Sequence, residues 1–388
     1  MKAAYLDHNA TSPPSEAVAR RVAELLEAGL GNPSAAHGPG ARGRAVVEAA
    51  RRAVARLLGA HPSEVVFTSG GSEACATAVR HLWASARARG RARPVLVAAA
   101  TEHQAVLEAL GALERSGEAE LRLLPVGAGG EVSGATLEEA LAGADGLCLM
   151  AANNETGVLA DLDAVGRAAA EAQVPWFCDA VQAVGRVPLS FGTGPGARMS
   201  MLALAGHKLG APAGVGALLV RRGLELTPLI RGGPQEGGRR AGTEAAALLG
   251  GLEVAVGETT AYLERGGPTR TLALRRRLED ALLGAFRGSR VHGAQSRRLP
   301  GTTSVCLALP SGEAADGEEL LLALAERGVA VGTGAACASG SGDPSHVLLA
   351  MGATPAEAQA SLRFSLGRGS TEAEVDRAVA ALREVAGL

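Results

Sequence analysis

Between residues 63 and 220 one pattern repeats: a short run of apolar residues, then a stretch whose apolar positions recur at helical spacing. The runs lie at 65–68, 95–99, 121–126, 147–151, 176–178, 201–205 and 215–220, and 104–115 and 162–173 are examples of the helical stretches. Such alternation predicts an α/β domain built on a doubly wound, mostly parallel, seven-stranded sheet. After Gly223 the pattern changes. A Gly-rich loop at 231–242 precedes long helical patterns at 243–264 and 269–286, which are expected to bridge two domains. Strands predicted at 303–309, 329–331 and 362–365, with helices at 317–327 and 372–385, make a smaller α+β domain that the N-terminal residues join. The expected division is 16–255 for the large domain, and 1–15 with 256–388 for the small one. A chain of 388 residues is long enough for two cores.

Composition narrows the function. The formal charge is −2, no basic block occurs, and aromatic residues are 2% of the chain, which argues against nucleic acid and anionic membranes as partners. No charged segment leads into an apolar one at the N-terminus and no apolar run is long enough to span a bilayer, so a cytoplasmic protein is expected. Cys75, Cys148, Cys178, Cys306 and Cys337 are widely spaced without a CxxC pair, indicating reduced thiols and neither a disulfide framework nor a metal site. Among 38 basic residues only Lys2 and Lys208 are lysines. A Schiff base needs an amine that can lose its proton, which guanidinium cannot supply, so Lys208 stands out before any motif is considered.

Three local features carry candidate chemistry. Residues 65–73 read as a strand, a glycine turn and the start of a helix, so Gly71 and Ser72 could offer N–H groups to a phosphate; the same pattern also suits a plain turn. Asp179 ends the apolar run at 176–178, on the edge where open α/β sheets bind ligands, and suits either a protonated pyridine nitrogen or a helix cap. Lys208 follows the next run and falls on the same edge. An anion cradle, an acid for a ring nitrogen and a Schiff-base lysine are together what pyridoxal 5′-phosphate requires.

The order of the motifs matches a known family: YLDHNAT at 5–11, GNPS at 31–34, TEH at 101–103, NNETG at 153–157, DAVQ at 179–182, GHK at 206–208, RAGT at 240–243 and RFSLGR at 363–368. Over this span the chain resembles the cysteine desulfurases, class V aminotransferase-family enzymes of the pyridoxal-phosphate-dependent transferase fold type I. The resemblance implies that Lys208 holds the cofactor, Asp179 pairs with its ring nitrogen, Gln182 bonds its ring hydroxyl, and His103 stacks on the ring and moves protons. Gly71, Ser72 and His207 would hold the phosphate, with Thr243 donated by a second subunit of a homodimer. Asn154 and Arg363 would take the substrate carboxylate. Cys337, in a Gly/Ser/Ala loop like the long catalytic loop of the family's first group, would be the nucleophile, while the other four cysteines read as packing residues.

By that resemblance L-cysteine becomes L-alanine, the sulfur passes to Cys337 as a persulfide, and an acceptor protein such as an iron–sulfur scaffold receives it. Two departures stand out: Ala205 sits where the family often carries a phosphate-binding Ser, and Pro234 and Gly237 replace the usual Gly and Arg before Thr243. A selenocysteine lyase or class V aminotransferase would share Lys208, Asp179 and Arg363 without needing the thiol, and a non-catalytic scaffold-binding partner would need neither Lys208 nor Cys337.

Overall fold

The computed structural model describes residues 3–309, 315–334 and 343–388. Its largest sheet has seven strands in the spatial order Val65–Thr68, Gly216–Val220, Met201–Ala205, Trp176–Asp179, Gly146–Cys148, Val95–Ala99, Glu120–Leu124. The last five pair in parallel, and only Gly216–Val220 runs against its neighbours. Strands 65–68, 201–205 and 216–220 are buried at every position. That is why they read as unbroken apolar runs: helices cover both faces of the sheet. The edge strand Glu120–Leu124 is partly exposed and stops before Pro125, two residues short of the predicted run, because Pro has no N–H for the ladder.

The run predicted at 147–151 is a shorter strand, Gly146–Cys148. Beyond it the backbone still bonds its neighbour through Leu149 N–H to Phe177 O (3.1 Å) and Ala151 N–H to Asp179 O (2.8 Å) while it bends towards Asn153. Two helices absent from the sequence reading, Glu16–Glu27 and Gly38–Leu57, pack on the helix Ala246–Glu264. The crossing is close. A Cβ on Gly250 would lie 2.1 Å from Leu25 Cδ1, so no larger residue fits there without a shift.

A second core surrounds a four-stranded antiparallel sheet, Gly332–Thr333, Ser361–Ser365, Thr302–Cys306 and Arg290–Val291. The single strand predicted at 329–331 is two short strands: Val329–Ala330 pairs in parallel with Ala4–Tyr5, and Gly332–Thr333 joins the antiparallel sheet. Among the described residues no helix is long and apolar enough to cross a membrane.

The Gly-rich loop is fixed by an ion pair. Glu236 has φ 51°, in the left-handed region, and its carboxylate accepts Arg51 Nη1 and Nη2, both at 2.8 Å, and Phe67 N–H at 2.9 Å. The two side chains are 11% and 1% exposed, so loss of one partner would strand the other charge away from water. Glu236→Ala should therefore cost about 3 kcal/mol in urea denaturation. A loss below about 1 kcal/mol would mean that solvent already screens the pair.

Candidate active site

The strand directions decide where the chemistry collects. Val65–Thr68 and Met201–Ala205 each run antiparallel to the strand between them and so point the same way, and the parallel set shares that direction. Segments leaving the carboxyl ends therefore meet on one rim: Gly71–Ser72 after Thr68, His103 after Ala99, Asn154 after Cys148, Gln182 after Asp179, and Lys208 after Ala205. All of these, with Asp179, His207 and Arg363, line one cavity of about 500 Å³.

At one end of the cavity the helix Gly71–Ala88 starts from Gly70, which provides no side-chain cap. A Cβ on Gly71 would lie 2.9 Å from Val181 Cγ2 and 3.3 Å from Ala205 Cβ, so glycine keeps a space there open. Ala205, the departure from the family pattern, lines the same space and brings no hydroxyl of its own. His207 Nδ1 lies 3.2 Å from Thr11 Oγ1, and its pKa is pushed down to about 4 by burial and then by the charges of Lys208 and Arg186. The imidazole is neutral at pH 7.

Lys208 follows strand Met201–Ala205 on a single turn, Gly206–Leu209, closed by Gly210 at φ 81°. Its Nζ donates to the carbonyls of Asn9 (2.6 Å) and Ala10 (2.7 Å). Asp179 is buried; its Oδ1 accepts Val181 N–H at 2.9 Å, and Cys75 Sγ lies 3.7 Å from Oδ2. Burial raises its pKa, against the Val181 N–H, His103 and Lys208, which favour the ionised form. A cation held against it would recover that desolvation cost.

His103 caps the helix Gln104–Arg115, and its Nδ1 accepts Ala105 N–H at 3.0 Å. A nitrogen accepting an amide proton carries none, so the neutral ring bears its hydrogen on Nε2. Burial, with the charges of Lys208 and His346, holds its pKa below 6.5 although Asp179 pulls the other way. Gln182 Nε2 donates to Asn9 O at 3.1 Å and its Oε1 accepts from Arg186.

Arg363, on strand Ser361–Ser365, is 2% exposed; its Nη2 bonds Asp7 Oδ1 at 2.8 Å, its Nη1 donates to Asn154 O at 3.3 Å, and its Nε has no partner among the described residues. Asn154 thus meets Arg363 through its backbone carbonyl. Thr243 is exposed and does not line this cavity. Cys337 lies outside the described residues, but Gly334 and Asp343, on either side of that segment, both line the cavity. Cys75, Cys148, Cys178 and Cys306 are buried, and burial raises each of their thiol pKa values.

Sequence reasoning passed over Asn9 and Glu155 as site residues, although both lie inside motifs that it quoted. Asn9 is 2% exposed and ties the elements together: its Nδ2 donates to Asn154 O (2.9 Å) and Thr302 Oγ1 (3.1 Å), and its N–H to Ser365 Oγ (2.8 Å). Glu155 accepts from Ser345 Oγ, and burial pushes its pKa up to about 7. His346, at the same cavity, donates from Nε2 to Glu102 O at 3.1 Å. Nothing but its place after the Gly/Ser/Ala segment marked it in the sequence.

The family model for class-V aminotransferases matches residues 4–378. The chain belongs to the aminotransferase class-V family. A cysteine desulfurase of Trichormus azollae is 39% identical over 386 residues, covering 99% of this chain and 93% of the relative. Among solved structures, a NifS-like protein superposes with a TM-score of 0.88 at 30% identity over 99% of both chains. SspA in complex with cysteine gives a TM-score of 0.79 at 31% identity over 93% of this chain and 98% of its own. The expected α/β architecture of the fold type I enzymes is thus shared with relatives across the whole chain, and the family is one of pyridoxal-phosphate-dependent enzymes.

Four histidines, His8, His81, His207 and His292, are pushed down to about 4, in each case mainly by burial. An unfolded chain titrates them near 6.5. Between these values the unfolded state binds more protons than the folded one, so their contribution to stability is present above about pH 6.5 and is lost as pH falls towards 4. The thermal midpoint, followed by circular dichroism, should fall across that window, and His81→Gln should flatten the slope. An unchanged slope in that variant would contradict the assignment.

Proposed function

We propose that this protein is a pyridoxal-phosphate-dependent cysteine desulfurase that converts L-cysteine to L-alanine and takes the sulfur onto Cys337. The observation that carries the reading is one cavity holding a lysine amine, a buried carboxylate and a glycine-capped helix start, with both ends of the Cys337-bearing segment at its wall. These groups fit the cofactor: the helix start and Gly71 space suit a dianionic phosphate, and a buried acid with a raised pKa suits a protonated pyridine nitrogen. Bound there, pyridoxal phosphate would supply the electron sink that lets the α-proton of cysteine leave.

The remaining work falls to the chain. Gly71, Ser72 and His207 hold the phosphate, His207 as a neutral ring. Asp179 balances the ring charge and Gln182 reaches the ring hydroxyl. His103 covers the ring and presents Nε2–H as a proton donor. Lys208 would be the attachment point, and its amine is a group that can hold or give up a proton in the cavity. Arg363, oriented by Asp7, takes the carboxylate with Asn154. The thiolate of Cys337 attacks the substrate sulfur; an S–S bond forms, the C–S bond breaks, and the carbon is protonated to leave as alanine. Thr243, exposed and not lining its own cavity, serves the site of a second copy in a homodimer. Residues 16–255 form the cofactor domain, and 1–15 with 256–388 the domain that brings Arg363 and Cys337. The persulfide then passes to a cytoplasmic acceptor protein such as an iron–sulfur scaffold.

Borohydride reduction in the presence of pyridoxal phosphate, followed by peptide mapping, should place the added mass on Lys208, and Lys208→Ala should lose it. Mass on another residue would refute the attachment. With labelled cysteine, the wild type should gain one sulfur atom on the peptide containing Cys337, and Cys337→Ala should lose both this label and alanine formation by at least about 100-fold. Near-normal alanine release by that variant would exclude Cys337 as the nucleophile and favour a selenocysteine lyase.

A further inference from the structure

We infer that Arg240 is a positioning residue for the phosphate of the cofactor, acting by neutralising Glu73 in the first turn of the helix Gly71–Ala88. The inference rests on the reading of that helix start as the phosphate cradle. Glu73 is the third residue of the helix and reaches back to accept Ser69 N–H at 2.7 Å, which fixes the glycine turn. A carboxylate in a first turn ordinarily stabilises a helix, because it faces the positive end of the macrodipole. A phosphate at the same end changes that balance, since a second anion then sits a few residues from the first and the two repel at one end of the dipole.

Glu73 does not escape by taking up a proton. Burial favours the neutral form, but the hydrogen bonds from Arg240 and Ser69 outweigh it and hold the pKa below the ordinary glutamate value. The charge therefore has to be paired. Arg240 pairs it with a two-pronged fork: Nε to Oε1 at 2.9 Å and Nη2 to Oε2 at 3.1 Å. The side chains are 22% and 9% exposed, so water screens the pair only in part. Arg240 itself does not line the cavity, whereas Ser72, beside Glu73, does. Its influence on the phosphate thus runs through Glu73. The same fork ties down the end of the Gly-rich loop three residues before Thr243, while Glu236 ties its middle to Arg51.

A purely structural clamp and a charge-masking role make different predictions. Apo-protein would be titrated with pyridoxal phosphate by absorbance and fluorescence for the wild type, Arg240→Gln, Arg240→Lys, Glu73→Gln and the double variant Arg240→Gln/Glu73→Gln, each checked for folding by its thermal melt. Arg240→Gln should bind about tenfold more weakly, because an unpaired carboxylate then opposes the phosphate. Glu73→Gln should bind at least as tightly as wild type, and the double variant should return to within about threefold of Glu73→Gln, since no charge is left to mask. Arg240→Lys keeps the charge and should stay within about threefold of wild type even if Arg240→Gln melts early. Pyridoxal, which lacks the phosphate, should bind wild type and Arg240→Gln alike.

Equal affinity of wild type and Arg240→Gln for pyridoxal phosphate would overturn the inference alone. So would a double variant as weak as Arg240→Gln, or an equal loss for pyridoxal. A wild type that binds no pyridoxal phosphate would overturn the reading beneath it.

Discussion

The common direction of the strands is the constraint on which the site depends. Five neighbouring strands run in parallel, and the single reversed strand, Gly216–Val220, restores the same direction for Val65–Thr68 on its far side. Segments separated by up to about 140 residues in the chain, from Gly71 to Lys208, therefore leave the sheet at one edge. Nothing else in the molecule has to bring an amine, a carboxylate, an imidazole and a glycine-capped helix together. Had Gly216–Val220 been parallel, Gly71 would have opened on the opposite edge, away from Lys208.

Burial then sets the charge state of what the sheet has gathered. Asp179 is raised by desolvation, Glu155 is pushed to about 7, and His207 is held near 4. Each group moves towards its neutral form unless something specific opposes it, as expected for a water-poor cavity. Such a cavity favours a ligand that carries its own compensating charges, a cationic ring against Asp179 and an anion at the helix start. The walls are fixed independently of any ligand: Asn9 joins the N-terminal segment to Asn154, Thr302, Gln182 and Ser365, and Arg363 is aimed by Asp7. Pre-arranged polar groups of this kind cost little to reorganise when charge develops.

Around the site, arginine does nearly all the cationic work. Arg51, Arg186, Arg240 and Arg368 each make several directed bonds to carboxylates or carbonyls that hold loops in place. A planar fork does this better than an ammonium group. Among the described residues lysine is left for one position, Lys208, at the wall of the cavity.

The chain's own pattern determined the sheet. Val65–Thr68, Val95–Ala99 and Met201–Ala205 match their predicted runs because strands buried on both faces must be apolar throughout, and Gln104–Arg115 matches because one helix face is buried. Lys208 and Asp179 stood out by residue type at strand ends, and Gly71 and His103 by a glycine turn and a family motif; the structure lines one cavity with all four. The sequence reading did not extend to the helices Glu16–Glu27 and Gly38–Leu57, although Ser15 caps the first and the apolar residues Val18, Val22 and Leu25 recur along it at helical spacing. Nor could it reveal the pairing of Arg363 with Asp7, of Arg240 with Glu73 or of Arg51 with Glu236, or the hub at Asn9. Those contacts join residues from 145 to 356 positions apart, and none of the ion pairs is closer than 167 positions. Sequence periodicity reports only on the local environment of a residue, and partners at that separation are chosen by the tertiary structure alone.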